Sequence, residues 1–270
     1  MKKLQIALAV MALGGALAAA PASAITITNG DLTNAQWNGI DWDSAGTAFT
    51  SGFTGTPGNT FTLTYFAWAT ALKLNGSTLF TPHLDNNADG VPAAPGTYEY
   101  TVVGQLTEQI VSCDGSGKCS FNILGGTFQT YYDTTPDANS TSGSLGTGFT
   151  DGDPLYGGII PAQSGGTFDT NAANTVNAFT VTNQITQTNP LYIHPNLDHG
   201  VTTGTLQLGV SGTAYTNPGG FSGVPFVPGQ VVLQADGNSI VFPATVPEPG
   251  TLLLLGAAML GFAAVRRKSE

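Results

Sequence analysis

Oxygen-bearing side chains cluster in residues 85–90, whose sequence is Asp-Asn-Asn-Ala-Asp-Gly. Asp85, Asn87 and Asp89 stand at positions 1, 3 and 5 of a calcium-loop pattern, and a glycine stands at position 6, where such a loop turns sharply. Position 12 is a glycine instead of the usual glutamate, so another acid such as Glu99 would have to complete the ligand shell. Two interpretations remain: a calcium site at Asp85, Asn87 and Asp89, or a solvated turn rich in Asx residues.

Two further pairs of carboxylates are each spaced two residues apart, Asp41 with Asp43 and Asp151 with Asp153. On a strand this spacing places both acids on one face, and on a turn the two acids can converge on a cation. Either pair could equally serve a glycosidase, but that chemistry depends on the separation of the carboxylates in space, which a sequence does not contain.

Two of the three histidines fall in residues 194–199, His-Pro-Asn-Leu-Asp-His. This segment could ligate a metal or form a polar loop, and the proline inside it disfavours a regular helix. The chain has no Gly-x-Ser-x-Gly motif, no phosphate-binding loop and no thiol nucleophile paired with a base. We therefore predict no catalytic residues and no enzymatic activity, with a secreted polysaccharide-active enzyme as the least favoured alternative.

The two cysteines, Cys113 and Cys119, bracket the segment Asp-Gly-Ser-Gly-Lys. In an exported chain such a pair predicts a disulfide, and the Asp-Gly and Ser-Gly steps favour a tight turn that would bring two strands together. A metal or redox pair is the alternative, but the spacing is not Cys-x-x-Cys and no histidine is near in the sequence. We predict a hairpin that the disulfide clamps.

Apolar periodicity predicts strands, and no convincing helix, in the interior of the chain. Apolar residues occupy both parities of residues 61–74, whereas residues 97–111 alternate between an apolar and a polar face. Turns are predicted at Gly125-Gly126 and at Asp236-Gly237-Asn238. The predicted strands are 61–74, 97–111, 119–124, 127–132, 177–187, 203–210, 230–235 and 239–242.

This strand pattern predicts an all-β protein, an antiparallel β-sandwich or barrel-like domain with long loops. Two segments rich in Gly, Ser, Thr and Asp, 133–158 and 161–173, are predicted as loops, and residues 218–228 form a third Pro/Gly-rich segment. The tryptophans could stack on sugar rings, but packing in the strands and core is the favoured interpretation. They are Trp37, Trp42 and Trp68.

The N-terminus has the three parts of an export signal. Two lysines precede an Ala/Leu-rich run over residues 4–20, and Ala22 and Ala24 form the small-x-small pattern that signal peptidase cleaves. We predict a signal helix, a signal peptide over residues 1–24 and a mature chain that starts at Ile25. A permanent N-terminal anchor is the alternative, but the run is shorter than the ~20 residues that a membrane span needs.

The C-terminus combines a proline-rich segment, an apolar helix and a basic cluster. The Val-Pro-Glu-Pro-Gly sequence of residues 246–250 resists helix formation. Residues 252–265 carry no charge, and as a helix they would rise roughly 21 Å, less than the ~30 Å of a bilayer core. The basic cluster would stay cytoplasmic, which makes a membrane hold point during export. A plain C-terminal transmembrane anchor and a buried helix are the alternatives. The defining residues are Pro247, Glu248, Pro249, Arg266, Arg267 and Lys268.

In residues 246–268 this order resembles the PEP-CTERM sorting domain of Gram-negative bacteria. The resemblance implies that Pro247, Glu248 and Pro249 are recognised by an exosortase, a membrane cysteine transpeptidase that removes the tail. It implies signal peptidase and exosortase as processing partners, transient contact of the apolar helix with the inner membrane, and final placement at the cell surface or in the extracellular matrix.

A second resemblance is to flocculation-associated PEP-CTERM proteins. It implies a part in holding cells and exopolysaccharide together in flocs or biofilm, and it brings no catalytic residues with it. The similar segments are 125–133, 136–139, 146–149, 151–152 and 233–238.

Charge limits the partners of the predicted mature domain, residues 25–245. It carries two lysines, no arginine and fifteen carboxylates, a net charge of −13. Such a surface repels nucleic acid and anionic lipid, so we expect no nucleic-acid partner. Low charge with abundant Thr, Ser, Asn and Gly suits short strands joined by polar turns. We expect a single extracellular β-rich domain with a structural role, and a calcium- or glycan-binding surface module as the alternative.

Overall fold

All regular secondary structure in the described part of the chain is β-strand. The computed structural model describes residues 24–140, 146–169, 177–209, 220–221, 224–225 and 231–244, all within one compact unit, Ala24–Ala244. The strands are β1 (Thr26–Asn29), β2 (Leu32–Gln36), β3 (Gly39–Trp42), β4 (Gly46–Ser51), β5 (Thr60–Leu74), β6 (Ser77–Thr78), β7 (Glu99–Cys113), β8 (Lys118–Asp133), β9 (Asp153–Ile160), β10 (Gln163–Asp169), β11 (Asn177–Thr188), β12 (Ile193–His194), β13 (Val201–Leu208), β14 (Gly220–Phe221), β15 (Val224–Pro225) and β16 (Val232–Phe242).

Antiparallel strands close on themselves to form an eight-position barrel. Around the barrel, β5 pairs with β7, β7 with β8, β8 with β9, β9 with β11, β11 with β13 and β13 with β16. β3 and β4 together fill the eighth position, because each pairs with both β16 and β5. Of the two architectures expected from the sequence, the barrel-like one is therefore the observed fold.

A three-stranded sheet of β12, β1 and β2 accompanies the barrel. The hydroxyl of Tyr100, in β7, donates to Asn29 Oδ1 at 2.6 Å, and the backbone N–H of Gly30 donates to the hydroxyl of Tyr132, in β8, at 3.0 Å. Polar contacts thus hold the β1–β2 hairpin against the barrel where β7 begins and β8 ends. We call this region the loop end.

The opposite end of the barrel, which we call the hairpin end, is filled by phenyl rings. Phe121 packs on Phe168 and Phe179 with ring centroids 5.7 and 5.2 Å apart, and Phe53 packs on Phe61 at 5.3 Å. Such tilted and edge-on ring contacts add to the gain from apolar burial. The core of the hairpin end is therefore mainly aromatic, in contrast to the hydrogen-bonded loop end.

The β7–β8 hairpin carries the predicted disulfide. Cys113 and Cys119 are directly opposed in the ladder, with Cα atoms 4.0 Å apart and a sulfur–sulfur bond of 1.95 Å. The Asp114 carboxylate accepts hydrogen bonds from the backbone N–H groups of Ser116 and Lys118, both at 3.0 Å. The sequence prediction of a clamped hairpin is confirmed.

Strands predicted from long alternating segments are found close to their predicted bounds. β5 has both faces covered, β11 ends one residue beyond its predicted end, and β13 begins two residues before its predicted start. β7 places Tyr100 and Leu106 inside the barrel, as its apolar face predicts, but Glu99 and Thr101 on its polar face are also buried. Loops outside the barrel cover that part of the polar face.

The turn predicted at Gly125-Gly126 is wrong, because β8 runs through both residues as one strand. The pairing register with β7 shifts by one residue here, which makes a β-bulge. A Cβ atom added to Gly126 would lie 2.2 Å from the carbonyl oxygen of Gln105. The glycine therefore allows close approach of two strands and does not reverse the chain.

The turn predicted at Asp236-Gly237-Asn238 is also wrong, because these residues lie inside β16. Asn238 pairs with Thr205 on one side and with Asp41 on the other. Two flanking strands override the local turn preference. A Cβ atom on Gly237 would lie 2.5 Å from the hydroxyl of Tyr65, so this glycine provides space inside the barrel.

The predicted loops are partly strand. β9 begins within the segment 133–158, and β10 lies within the segment 161–173. These strands pair with successive parts of β8, so their regular structure comes from the long β7–β8 hairpin and not from an alternating sequence. In the segment 218–228 the described backbone forms the short β14–β15 pair.

The predicted signal helix and the predicted C-terminal apolar helix lie outside the described residues, apart from Ala24, which is exposed. The described residues include no helix with the length and apolarity that a membrane crossing requires.

Candidate functional site

Three carboxylates converge at the loop end of the barrel. Glu99 is the first residue of β7 and Asp133 is the last residue of β8, and the two residues are directly opposed in the ladder. Asp137 lies in the connection that follows β8. One carboxylate oxygen from each residue lies within 4.8 Å of the other two. We call these three residues the acidic cluster.

The loop that carries Asp137 folds back over the start of β7. The Thr101 hydroxyl donates to the carbonyl oxygen of Phe149 at 2.9 Å, which ties the far side of the loop to β7. Gly148, at a positive φ of 78°, packs against Asp137, and a Cβ atom there would lie 2.4 Å from the Asp137 carbonyl oxygen. Close backbone packing therefore holds Asp137 beside Glu99.

Glu99 is the buried member of the acidic cluster, with 1% of its surface exposed. Its Oε1 accepts hydrogen bonds from the backbone N–H groups of Asp137 and Ala138, both at 3.1 Å. Its Oε2 is also buried and has no hydrogen-bond partner. A buried carboxylate oxygen without a partner is costly, because it has lost its water and gained no replacement.

Burial and neighbouring charge both act on the titration of the acidic cluster. Burial raises the pKa of Glu99 to about 8, and the charges of Asp133 and Asp137 reinforce that rise, while the two backbone hydrogen bonds oppose it. Burial also raises the pKa of Asp137, with contributions from the charges of Asp151 and Asp133. The protein must offset this concentration of negative charge with protons or with a cation.

The ion pairs of the described residues lie away from the acidic cluster. The Lys73 ammonium lies 3.0 Å from Asp41, and His83 Nδ1 lies 2.6 Å from Asp31. Lys118 is the first residue of β8 and Asp133 is its last, so the two lie at opposite ends of one strand. Within the described part of the chain, no ion pair reaches the acidic cluster.

In the predicted calcium loop, side-chain oxygens accept hydrogen bonds from backbone N–H groups of the same loop. Asp85 Oδ1 accepts from the N–H of Asn87 at 3.3 Å, Asn87 Oδ1 from that of Asp89 at 3.2 Å, and Asp89 Oδ1 from that of Val91 at 3.0 Å. These are successive Asx turns, the second of the two interpretations of this segment. A calcium ion bound at these three residues stays a prediction.

The predicted calcium loop nevertheless packs against the loop of the acidic cluster. The N–H of Gly90 donates to the carbonyl oxygen of Ala138 at 3.0 Å, and the N–H of Ser140 donates to that of Ala88 at 2.9 Å. Ala88 and Ala138 are both buried in a small apolar cluster with Phe149 outside the barrel. The structure therefore brings two acidic loops side by side, and their shared core is apolar.

Three acids of the two other pairs, Asp41, Asp43 and Asp153, have structural partners. Asp41 pairs with Lys73, as described above, and Asp43 Oδ1 accepts from the N–H of Ala45 at 2.6 Å. Asp153 accepts a hydrogen bond from the hydroxyl of Tyr192. These three acids thus make contacts within the fold, and a glycosidase role stays an untested alternative.

The segment 194–199 forms a hydrogen-bonded loop around Asp198. That carboxylate accepts from the Thr188 hydroxyl and from the Asn196 amide, both at 3.1 Å. Among the residues that the structure describes, a group of three acidic, histidine or cysteine ligands forms only at the acidic cluster. The contacts of this segment agree with the polar-loop interpretation.

The three tryptophans are buried, as the favoured interpretation of the sequence predicts. Trp37, Trp42 and Trp68 expose 1%, 4% and 6% of their surface, so their rings do not form a platform for sugars. The indole N–H of Trp68 donates to the carbonyl oxygen of Asn86 at 3.0 Å, which fixes the predicted calcium loop to the barrel wall.

A cavity of about 80 Å³ lies inside the barrel between its two ends. Apolar side chains such as Val102 and Leu106 dominate its wall, and the hydroxyls of Tyr65 and Thr202 are buried there without hydrogen-bond partners. This volume is far below the ~300–1,000 Å³ of pockets for drug-sized ligands. It suits ordered water, which commonly satisfies such buried hydroxyls.

The sequence indicates Glu99 as an acid that could complete a calcium shell, but it does not indicate Asp133 or Asp137 as ligands. The predicted disulfide provides a signal in the sequence for the position of Asp133. If Cys113 opposes Cys119 and the hairpin continues, counting outward places Glu99 opposite Asp133, and the two register shifts in the hairpin cancel. The position of Asp137 depends on the loop and has no comparable signal.

Comparison with known proteins identifies the C-terminal tail. A PEP-CTERM protein-sorting motif matches residues 245–268, which include all six of the predicted sorting residues. The chain therefore carries the signal of an exported protein that exosortase processes, on a route through the inner membrane of a Gram-negative bacterium. No curated protein and no solved structure matches the chain. Ala22 and the sorting residues lie outside the described residues.

Proposed function

We propose that this protein is a non-enzymatic structural component of the cell surface or extracellular matrix, where it supports the exopolysaccharide-associated aggregation of cells. The observation that carries the proposal is the PEP-CTERM motif directly after the barrel, at residues 245–268. A signal that delivers a chain to the surface and releases it from its membrane tail suits a protein whose work is outside the cell.

The composition of the barrel supports a structural role in a hydrated polymer. Two lysines against fifteen carboxylates between residues 25 and 245 leave it strongly acidic, which keeps copies soluble and apart from one another. Many of the remaining polar side chains are hydroxyls and amides, which hydrogen-bond to sugars without requiring charge. The segments that resemble flocculation-associated proteins include Asp133, Asp137 and Gly148, which build the acidic cluster and its loop.

Reading the two ends of the protein tests the sorting step. The gene would be expressed in a host that has an exosortase and in the same host lacking it, and the surface-fraction protein would be sequenced by mass spectrometry. We expect a chain from Ile25 to near Pro249 only when the exosortase is present. A chain that still ends at Glu270 in both hosts would make the tail a plain membrane anchor.

Deleting residues 246–270 tests the surface role. We expect the truncated protein to be lost from the surface fraction and the cells to aggregate less, because the barrel would lack the signal that an exosortase recognises. A matched control replaces the apolar residues 252–265 with a different apolar sequence of equal length. Unchanged flocculation in the deletion strain would contradict the proposed role.

A calcium-binding surface module is the second candidate function, and the acidic cluster is the observation that favours it. A matrix protein that binds calcium would also agree with the surface role, because anionic polymers and acidic proteins share that cation. The glycan-binding version of this candidate has less support, since the tryptophans are buried.

A further inference from the structure

We propose that Glu99, Asp133 and Asp137 form a calcium site that ties the ends of β7 and β8 to the loop after β8. This site is distinct from the Asp85, Asn87 and Asp89 loop that the sequence pattern singles out. The inference does not rest on the proposed function, because it follows from the side chains at the loop end alone.

The unpartnered oxygen of Glu99 is the observation that points to a ligand. Glu99 is 99% buried, Oε1 accepts two backbone hydrogen bonds, and Oε2 has no partner although it lies among carboxylates. Most buried side-chain oxygens in native proteins have a hydrogen-bond partner, so this oxygen requires an explanation, and the neighbouring carboxylates provide one. A cation bound by Oε2 would satisfy it and offset the repulsion from Asp133 and Asp137.

The spacing of the ligand atoms fits calcium. The three oxygens lie within 4.8 Å of one another, which fits a calcium shell, whose diameter is roughly 4.6–5.2 Å for bonds of 2.3–2.6 Å. Magnesium has shorter bonds of about 2.0–2.1 Å and demands nearly ideal octahedral geometry, whereas calcium accepts an irregular ligand set such as this one. The oxygen-only ligand set favours calcium over zinc and copper, which prefer sites that include nitrogen or sulfur ligands.

The remaining ligand positions are accessible to water. Calcium takes six to eight oxygens, and three carboxylates supply only part of that number because Glu99 Oε1 is already engaged. Asp137 is exposed, whereas Glu99 is buried. The site is therefore anchored on one side by the barrel wall and open to solvent on the other, which gives the ion a route of entry.

Thermal unfolding of the exported protein, as the producing cell makes it, tests the site. The protein would be stripped with EDTA and melted with 5 mM CaCl2 or 5 mM MgCl2. For a site with a dissociation constant of ~10⁻⁴–10⁻³ M, as in extracellular modules, we expect calcium to raise the melting temperature by about 3–8 °C. Titration calorimetry with CaCl2 alone should give one ion per chain.

Two variants locate the ion. Asp137→Asn keeps the shape of an exposed side chain and should weaken calcium binding by about tenfold or more, because it removes a ligand charge. Glu99→Gln keeps the acceptor for the two backbone N–H groups and should act similarly. The matched control is Asp89→Asn, which removes a carboxylate from the neighbouring loop and should retain the full calcium shift.

The behaviour in EDTA separates a cation site from a structural role. Without calcium, Asp137→Asn should melt at a higher temperature than the wild type, because it removes charge repulsion, and with calcium this order should reverse. The inference is overturned if the wild type shows no calcium shift, if both site variants keep the shift, or if Asp89→Asn alone loses it. A larger shift with magnesium than with calcium would overturn the choice of ion.

Discussion

β7 holds one buried glutamate near each end of the barrel, and the two differ in their surroundings. Glu99, at the loop end, has two backbone hydrogen bonds and two neighbouring carboxylates, and it faces a loop outside the barrel. Glu108, near the hairpin end, shares a face of β7 with Leu106 and Ile110 and has an oxygen, Oε1, without a partner. Both side chains are 1% exposed.

The pKa values of the two glutamates rise for different reasons. Burial alone raises the pKa of Glu108 to about 8. Burial raises that of Glu99 to a similar value, but neighbouring acids reinforce the rise and backbone donors oppose it. An isolated buried acid can respond only by holding a proton, whereas an acid among other acids at an open edge can also take a cation. Although the two side chains are similarly buried, Glu108 is expected to make stability depend on pH, whereas Glu99 is a candidate ligand for a cation.

Replacing Glu108 with glutamine is expected to give the largest effect. The unfolded chain releases this proton near pH 4.5 and the folded chain near pH 8, so the unfolded state binds fewer protons between these values. The contribution of Glu108 to the free energy of unfolding therefore falls as the pH rises, by about 1.4 kcal/mol per pH unit and roughly 5 kcal/mol over the whole window. Denaturant unfolding from pH 4.5 to 8.5 should show that Glu108→Gln removes this contribution.

An exposed acid provides the control for Glu108. Hydrogen bonding from the Ser116 hydroxyl lowers the pKa of Asp114, so Asp114 finishes titrating below this window and Asp114→Asn should leave the slope between pH 5 and 8 unchanged. A Glu108→Gln protein with the wild-type slope would show that Glu108 is ionised in the folded core.

Removing a phenyl ring at the hairpin end is expected to have the next largest effect. Phe121 is 2% exposed and packs between two other phenyl rings, so Phe121→Ala should lower the free energy of unfolding by about 4 kcal/mol. Phe80 is 84% exposed, and Phe80→Ala should change it by less than about 0.5 kcal/mol. Comparable losses in the two variants, measured by chemical denaturation, would refute an aromatic core at this end.

Breaking the disulfide is expected to cost less. The Cys113–Cys119 bond closes a short loop, so reduction should lower the free energy of unfolding by about 2 kcal/mol in the loop-entropy view. Melting curves with and without dithiothreitol would measure the loss. The double variant Cys113→Ser, Cys119→Ser serves as control, because its melting temperature should not respond to the reductant.

Removing one hydroxyl at the loop end is expected to have the smallest effect. Tyr132→Phe deletes the acceptor for the Gly30 N–H and should lower the free energy of unfolding by about 1 kcal/mol. Tyr131→Phe, on the opposite face of β8, should cost less. If Tyr132→Phe instead cost as much as Phe121→Ala, the loop end would depend on its hydrogen bonds far more than the contrast between the two ends implies.

Sequence alone predicted the parts of the fold that a long local pattern determines. β5 and β7 each extend over 15 residues, and β7 alternates clearly, so the strand class and approximate bounds were correct. The disulfide was predicted because a short polar turn links two cysteines in an exported chain. The all-β class followed from the same features.

The errors arose where distant strands decide the local structure. β3, β4, β9 and β10 are short, and each of them pairs with a longer strand of the barrel. Turn-forming residues inside β8 and β16 stay extended because strands flank them on both sides. For the same reason the acidic cluster was missed: Asp137 reaches Glu99 only through a loop that packs against a second loop.

The pairing of β16 has a consequence for the order of events during secretion. This last strand fills the gap between β13 and the β3–β4 position, where Asn238 meets Asp41. Contacts between residues so distant in sequence form slowly, and here they cannot form until the chain has crossed the membrane as far as Phe242. The barrel must therefore close after synthesis and export are nearly complete, when only the residues of the sorting motif are still to follow. The pairing that completes the fold is thus one of the last events in the formation of the exported protein.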